Sequence, residues 1–146
     1  MVEFTWKNEL SVANAILDAQ HQMLIDLVNR VELAIRAKDK VLLPVLLEQL
    51  LTAVTIHFQT EENFAHAINL PFADHKLLHD YVKGELLIMV SDYANLVVHW
   101  SESAAECSSY FLSEWFYDHL NGDVIALKPI LENYPYDYAA GSLENN

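Results

Sequence analysis

The chain of 146 residues contains one cysteine, three glycines, four prolines and only eight basic residues. Each shortage excludes something. A lone cysteine, Cys107, cannot form a disulfide within the chain, which is compatible with a reducing compartment. Read for packing, it is a small buried hydrophobe. So little glycine beside 53% hydrophobic residues excludes a disordered chain. The scarcity of Lys and Arg leaves 21 acidic residues largely unopposed and a formal charge of -13. Such a chain repels phosphate, which argues against nucleic acid and against an anionic membrane surface as partners. No uninterrupted apolar run approaches the ~20 residues that span a bilayer. The opening Met-Val-Glu-Phe-Thr-Trp lacks the basic start and apolar run of a signal peptide. A cytoplasmic location is the expectation.

What is present is abundant Leu, Ala, Glu and Gln, the composition of an all-α chain. Residues 1–14, with Trp6, read as an N-terminal arm, and Ser11 or Asn14 can cap the helix that follows. That helix spans about Ala15–Lys38, with Leu17, Leu24, Val28, Val31 and Ile35 at helical spacing. After a turn at Asp39-Lys40 comes a second helix, about Val41–Ala67, with Pro44 in its first turn. Asn69-Leu70-Pro71 breaks the chain. The third helix covers about Phe72–Val98, with His75, Leu78, His79, Val82, Leu86, Met89 and Tyr93 inward. His99-Trp100-Ser101 is the next connection. The fourth covers about Glu102–Leu120, and Asn121-Gly122 signals its stop. A short last helix, Val124–Asn133, and a loose polar tail, 135–146, complete the reading. The expected architecture is an up-down-up-down antiparallel four-helix bundle with an N-terminal arm and a short C-terminal helix. Residues 1–134 form one domain.

Two stretches carry the chemistry. His57-Phe-Gln-Thr-Glu61 places a histidine and a carboxylate at i and i+4, and His75 and His79 repeat that spacing. Residues so spaced lie on one helix face and aim at a common point. His21 falls inside the first helix's apolar stripe, and His119 near the end of the fourth. In an antiparallel bundle, all these positions lie at the same end. Five histidines and a carboxylate thus meet in an otherwise aliphatic interior. Buried polar groups without partners cost about 1–3 kcal/mol each, so a bound metal is the economical explanation. His66, His99 and Glu62 read as surface residues. Six donors exceed one tetrahedral zinc and suit two metals with carboxylate oxygens between them. Mixed nitrogen and oxygen ligation favours iron. The Glu-x-x-His motif of carboxylate-rich di-iron enzymes is missing. A histidine-rich shell favours the ferrous state, and so oxygen binding over hard oxidation.

At these residues the sequence resembles the hemerythrin family, specifically its bacterial members. The resemblance rests on Trp6 and Ser-Val-Ala-Asn14, on Leu-Asp-Ala-Gln-His21-Gln-Met-Leu, and on His57-Phe-x-x-Glu61-Glu. It continues in Pro71-x-x-x-His75-x-x-x-His79 and Trp115-x-x-x-His119, and covers most of residues 4–132. It implies reversible dioxygen binding at two iron ions cycling between Fe2+ and Fe3+ with a bridging oxo or hydroxo group. By matching positions, His75, His79 and His119 hold one iron, His21 and His57 hold the other with an open position, and Glu61 bridges. Leu24, Phe58, Trp115, Phe116 and Leu120 line the oxygen pocket. One departure stands out. The family's second bridging Asp follows the last histidine by five residues, where this chain has Val124. Asp123 is one residue early, and a bend at Asn121-Gly122 is the expected means for it to reach the metals; the alternative is an N-cap on the last helix.

The leading expectation is an oxygen carrier, store or supplier, not an enzyme. The alternatives are an oxygen or redox sensor acting through a partner protein, a peroxidase or nitric-oxide-handling enzyme, and an iron store; the expected partners are dioxygen and an unidentified signalling or oxygen-accepting protein.

Overall fold

The computed structural model describes residues 3–94 and 101–141. Helix α1 (Ala15–Arg36) begins where Asn14 Oδ1 accepts hydrogen bonds from the Ile16 and Leu17 amides, so Asn14 is the cap and Ser11 instead bonds Asp18. The helix ends two residues before the expected Lys38, which adopts φ 53°. Asp39 Oδ1 then accepts from the Val41 and Leu42 amides and starts α2 (Leu42–Ala67), with Pro44 in its first turn. Helix α3 (Ala73–Ala94) follows the Asn69-Leu70-Pro71 break. The expected extension to Val98, and the connection through His99, lie outside the described residues. Ser101 accepts from the Ala104 amide and caps α4 (Glu102–Leu131). Among the described residues every element is helical, and the four-helix bundle is as expected. The N-terminal arm is pinned by a reciprocal pair, Phe4 N to Asn29 Oδ1 and Asn29 Nδ2 to Phe4 O, and Phe4 packs edge-on to Phe116 at 5.0 Å.

Four expectations are corrected. The fourth helix does not stop at Asn121-Gly122, and no separate helix begins at Val124; α4 continues to Leu131 through Pro129. A mid-helix glycine costs about 1 kcal/mol. The continued helix buries Leu127 and Leu131 against Leu17, Phe64 and Ile68, and a fully buried leucine contributes about 1.5–3 kcal/mol, so burial wins. The tail is not loose as far as residue 141: Tyr136 O accepts from the Ala15 amide, the Tyr136 hydroxyl donates to Asp18 Oδ2, and Tyr138 O accepts from Asn14 Nδ2. Leu78 is 52% exposed, beside the inward stripe rather than on it, because α3 packs chiefly against α2. Cys107 is exposed, on α4's outer face.

Two apolar clusters form the interior. The larger joins Leu24, Val28, Leu50, Val54, Phe58, Leu86, Phe116 and their neighbours. The smaller joins Val12, Leu17, Phe64, Ile68, Leu127 and Leu131. On three helices the polar residues fall between the two: His21 between Leu17 and Leu24, His57 and Glu61 between Val54 and Phe64, His119 and Asp123 between Phe116 and Leu127. The polar slice is therefore closed above and below by hydrocarbon. Helix α2 is long and apolar enough by composition to cross a bilayer, but its buried stripe, including His57 and Glu61, faces this interior.

Asn14 joins helix start and tail, so Asn14→Ala should lower unfolding free energy by about 1–3 kcal/mol in denaturant titrations; unchanged stability contradicts that role. A second test concerns Glu32, buried between α1 and α4 under the Ser109 hydroxyl at 2.6 Å. Burial raises its pKa against the hydrogen bonds from Ser109 and Ser113. A raised carboxyl pKa means a stability contribution present at low pH and lost as pH rises through the folded-state value. Glu32→Gln should flatten that decline without loss at pH 7; a variant markedly weaker at pH 7 contradicts it.

Candidate metal centre

The helices deliver their polar residues by spacing alone. On α2, His57 and Glu61 are one turn apart, and His57 Nε2 lies 2.7 Å from Glu61 Oε1. On α4, the continuous helix places His119 and Asp123 in the same relation, with Nε2 and Oδ2 3.1 Å apart. Asp123 therefore reaches the site because the backbone does not bend at Asn121-Gly122. Its N-cap alternative falls with the helix break. From α1, His21 Nε2 stands 3.0 Å from Asp123 Oδ2, 3.1 Å from His57 Nε2 and 3.7 Å from Glu61 Oε1. His57 and His119 nitrogens are 3.0 Å apart. One ligand atom from each of His21, His57, Glu61, His119 and Asp123 lies within 4.8 Å of all the others, and all five residues are buried.

The α3 histidines behave differently. His79 is 4% exposed, with Nε2 3.3 Å from Glu61 Oε2, the carboxylate's other oxygen, and its ring stacks on Phe58 at 3.7 Å. His75 is half-buried, stacks on Phe72 at 5.6 Å, and stands outside the group of five. The expected pocket residues Leu24, Phe58, Trp115, Phe116 and Leu120 are all buried in one cluster, with Trp115 and Phe58 rings 5.8 and 5.6 Å from His119. His66 is exposed, as expected of a surface residue, whereas Glu62 is half-buried, with Oε2 4.0 Å from Lys76 Nζ.

One partner was not visible in the spacing. His57 Nδ1 donates to Gln20 Oε1 at 2.7 Å, and Gln20 Nε2 donates to Thr60 Oγ1, which itself donates to the Ile56 carbonyl. That chain fixes every proton: Nδ1 carries the hydrogen, and Nε2 presents a lone pair to the centre. The available signal was a polar residue flanking the first helix's histidine, turned toward α2.

Electrostatics sharpen the point. Burial presses the His57 pKa down to about 4, only partly opposed by Glu61. Burial also opposes charge on His21, but the Asp123 carboxylate hydrogen-bonded to it at 3.0 Å and the nearby Glu61 carboxylate overcome it and lift its pKa to about 9. Burial would raise Glu61, yet His57 and His119 hold it well below the usual carboxylate range. Burial and the Glu61 charge push Asp123 up to about 7. So the inward nitrogen of His57, whose other nitrogen already donates to Gln20, faces an ionised carboxylate at 2.7 Å. Glu61 Oε1 and His21 Nδ1 have no hydrogen-bond partner although both are buried. A buried acceptor so placed is costly unless something positive lies between. The donor set, three imidazoles and two carboxylates, is one that divalent transition metals accept. The residues fit a metal.

If Gln20 orients His57, Gln20→Ala should lower metal affinity on the order of 10- to 100-fold while leaving helical content intact. Titration with a divalent metal, alongside circular dichroism, reads both; unchanged affinity would remove Gln20 from the site.

Comparison with known proteins agrees. Residues 12–123 match the family described as the hemerythrin HHE cation binding domain. The chain is 24% identical over 125 residues to a bacteriohemerythrin of Stenotrophomonas maltophilia, covering 84% of this chain and 78% of that one. It is 28% identical over 131 residues to a hemerythrin-like protein of Naegleria gruberi, covering 88% and 93%. A crystal structure of a hemerythrin point mutant superposes with a TM-score of 0.74 at 22% identity, covering 90% of this chain and 98% of that one, which shows the shared fold. With four helices, two His–carboxylate pairs one turn apart and a sequence match that ends on Asp123, the chain belongs to the hemerythrin HHE cation-binding family.

Proposed function

We propose that this chain binds dioxygen reversibly at a non-haem iron centre, with His21, His57, Glu61, His119 and Asp123 as ligands and His79 and His75 completing a pair of metal positions. The observation that carries the reading is the convergence of five buried ligand residues, with the inward His57 nitrogen 2.7 Å from the Glu61 carboxylate, in a slice closed by two apolar clusters. Iron bound there supplies the electrons and the free coordination position that oxygen binding requires.

The protein's own part is to hold and to exclude. Gln20 keeps the His57 proton on Nδ1, away from the metal side. Glu61 offers one oxygen toward the α1, α2 and α4 histidines and the other toward His79, as a bridge between two positions would. Phe58 and Trp115 stand at the rings of His79 and His119. Their bulk keeps water out and so slows loss of electrons to solvent species.

Reduced protein loaded with iron should develop an oxygen-dependent charge-transfer band that disappears on deoxygenation and returns over repeated cycles. A colourless, unresponsive sample contradicts the reading, and sustained turnover of peroxide or nitric oxide would replace it with an enzymatic one. Phe58→Leu should keep the iron and speed autoxidation several-fold, followed by decay of the same band; an unchanged rate denies Phe58 its shielding role.

A further inference from the structure

We propose that the groove on the outer side of α4 is a docking site for an arginine-bearing segment of a partner protein. The groove has a volume of about 510 Å³. Phe4 of the N-terminal arm forms one wall, and a stripe of α4, Glu106, Tyr110, Glu114 and Tyr117, forms the other, with Ser109 and Ser113 between. None of these residues belongs to the metal centre, so the proposal stands or falls independently of oxygen binding.

Helical spacing makes the stripe. Its four residues follow one another at intervals of four, four and three, and so share one face of α4. That face points away from the core. Tyr110 is 69% and Tyr117 60% exposed, and both carboxylates are exposed. Tyrosine offers a large, stiff ring at a low entropic cost, which is why it is enriched where proteins meet. Two such rings alternating with two carboxylates can take a cation on a ring face and at an acid oxygen together.

The acids have no cation of their own. No basic residue lines the groove. Among the described residues, no lysine or arginine forms a salt bridge with Glu106, Glu114 or the buried Glu32. Ser109 donates its hydroxyl hydrogen to Glu32 Oε2 at 2.6 Å, and Ser113 donates to Oε1 at 3.5 Å. With those hydrogens turned inward, the two serine oxygens are left to accept from a donor in the groove. The opposite wall is already in place. Phe4 is tied to Asn29 by two hydrogen bonds and packs on Phe116, so little ordering remains to be done on docking.

Charge and shape select the occupant. A formal charge of -13 repels anions and a second copy of this chain alike. A guanidinium suits the wall better than an ammonium, because it is planar, stacks on a ring and forks onto a carboxylate. Glu106 and Glu114 are one stripe apart by eight residues, which is about 12 Å at a rise of 1.5 Å per residue. An extended chain covers about 3.3 Å per residue. Two arginines four positions apart therefore match the two acids, with Tyr110 between them.

The test is calorimetric titration of the full chain, at low ionic strength, with an acetylated and amidated Arg-Gly-Gly-Gly-Arg peptide. Saturable one-to-one binding is expected. Glu106→Gln with Glu114→Gln should weaken it roughly tenfold, and Tyr110→Ala with Tyr117→Ala, which keeps every charge, roughly fivefold. Glu48→Gln with Glu132→Gln removes the same charge from exposed sites elsewhere and should leave binding unchanged. All these side chains are exposed, and circular dichroism confirms that each variant is folded. Equal weakening by the control pair would reduce the effect to diffuse attraction and overturn the proposal. So would a lack of saturation, or tyrosine variants that bind as the parent does. A lysine peptide bound equally well would overturn the choice of arginine, and free arginine amide bound as tightly would replace the partner segment with a small organic cation.

Discussion

Everything in this bundle depends on one contact, the inward His57 nitrogen set 2.7 Å from a buried Glu61 oxygen that has no hydrogen-bond partner. Water cannot relieve it, because apolar clusters close the slice on both sides. Burial also disfavours a proton on His57, pressing its pKa down. A buried acceptor without a donor costs about 1–3 kcal/mol, and Glu61 Oε1 is one. Against a typical total stability of about 5–15 kcal/mol, that is a large fraction. A cation at the same point supplies the missing partner. The site is thus a place where the fold has stored instability for a ligand to remove.

The same contact explains the surroundings. The Gln20–Thr60 chain determines which nitrogen of His57 faces inward. Unbroken α4 brings Asp123 beside His119. The Asn14 cap starts α1 and ties down Tyr138, while Ala15 and Asp18 hold Tyr136, which keeps the tail over the end where the smaller cluster lies. Each device holds a donor-bearing helix end in register. Register matters because a displacement of one residue rotates a side chain by about 100° and removes it from the centre.

Much of this was legible in the sequence. Helical spacing identified four rods, and the i, i+4 pair His57–Glu61 and the stripe positions of His21 and His119 identified the ligand level. These signals are local and strong, because a buried stripe tolerates polar residues only where they are used. The failures were non-local. Asn121-Gly122 resembles a stop, yet Leu127 and Leu131 beyond it are buried by contacts with Leu17 and Phe64, far away in sequence. Leu78 has the right spacing for the interior but lies on a flank that α2 does not cover. Cys107 is apolar enough for a core and faces outward. Gln20 has no pattern of its own, and its role appears only once α2 lies beside α1. The i, i+4 spacing with His79 placed His75 among the converging ligands, and its stack on Phe72 is a pairwise contact that spacing does not reveal.

The central claim is that these donors are stable together only around a metal. Thermal unfolding of the metal-free protein, with and without ferrous iron under anaerobic conditions, tests it most directly. Iron in thousandfold excess over its dissociation constant should stabilise the fold by about 4 kcal/mol, a rise of several degrees in Tm. A midpoint that does not move with iron would mean that the buried imidazoles and carboxylates satisfy one another unaided, and the account would be wrong.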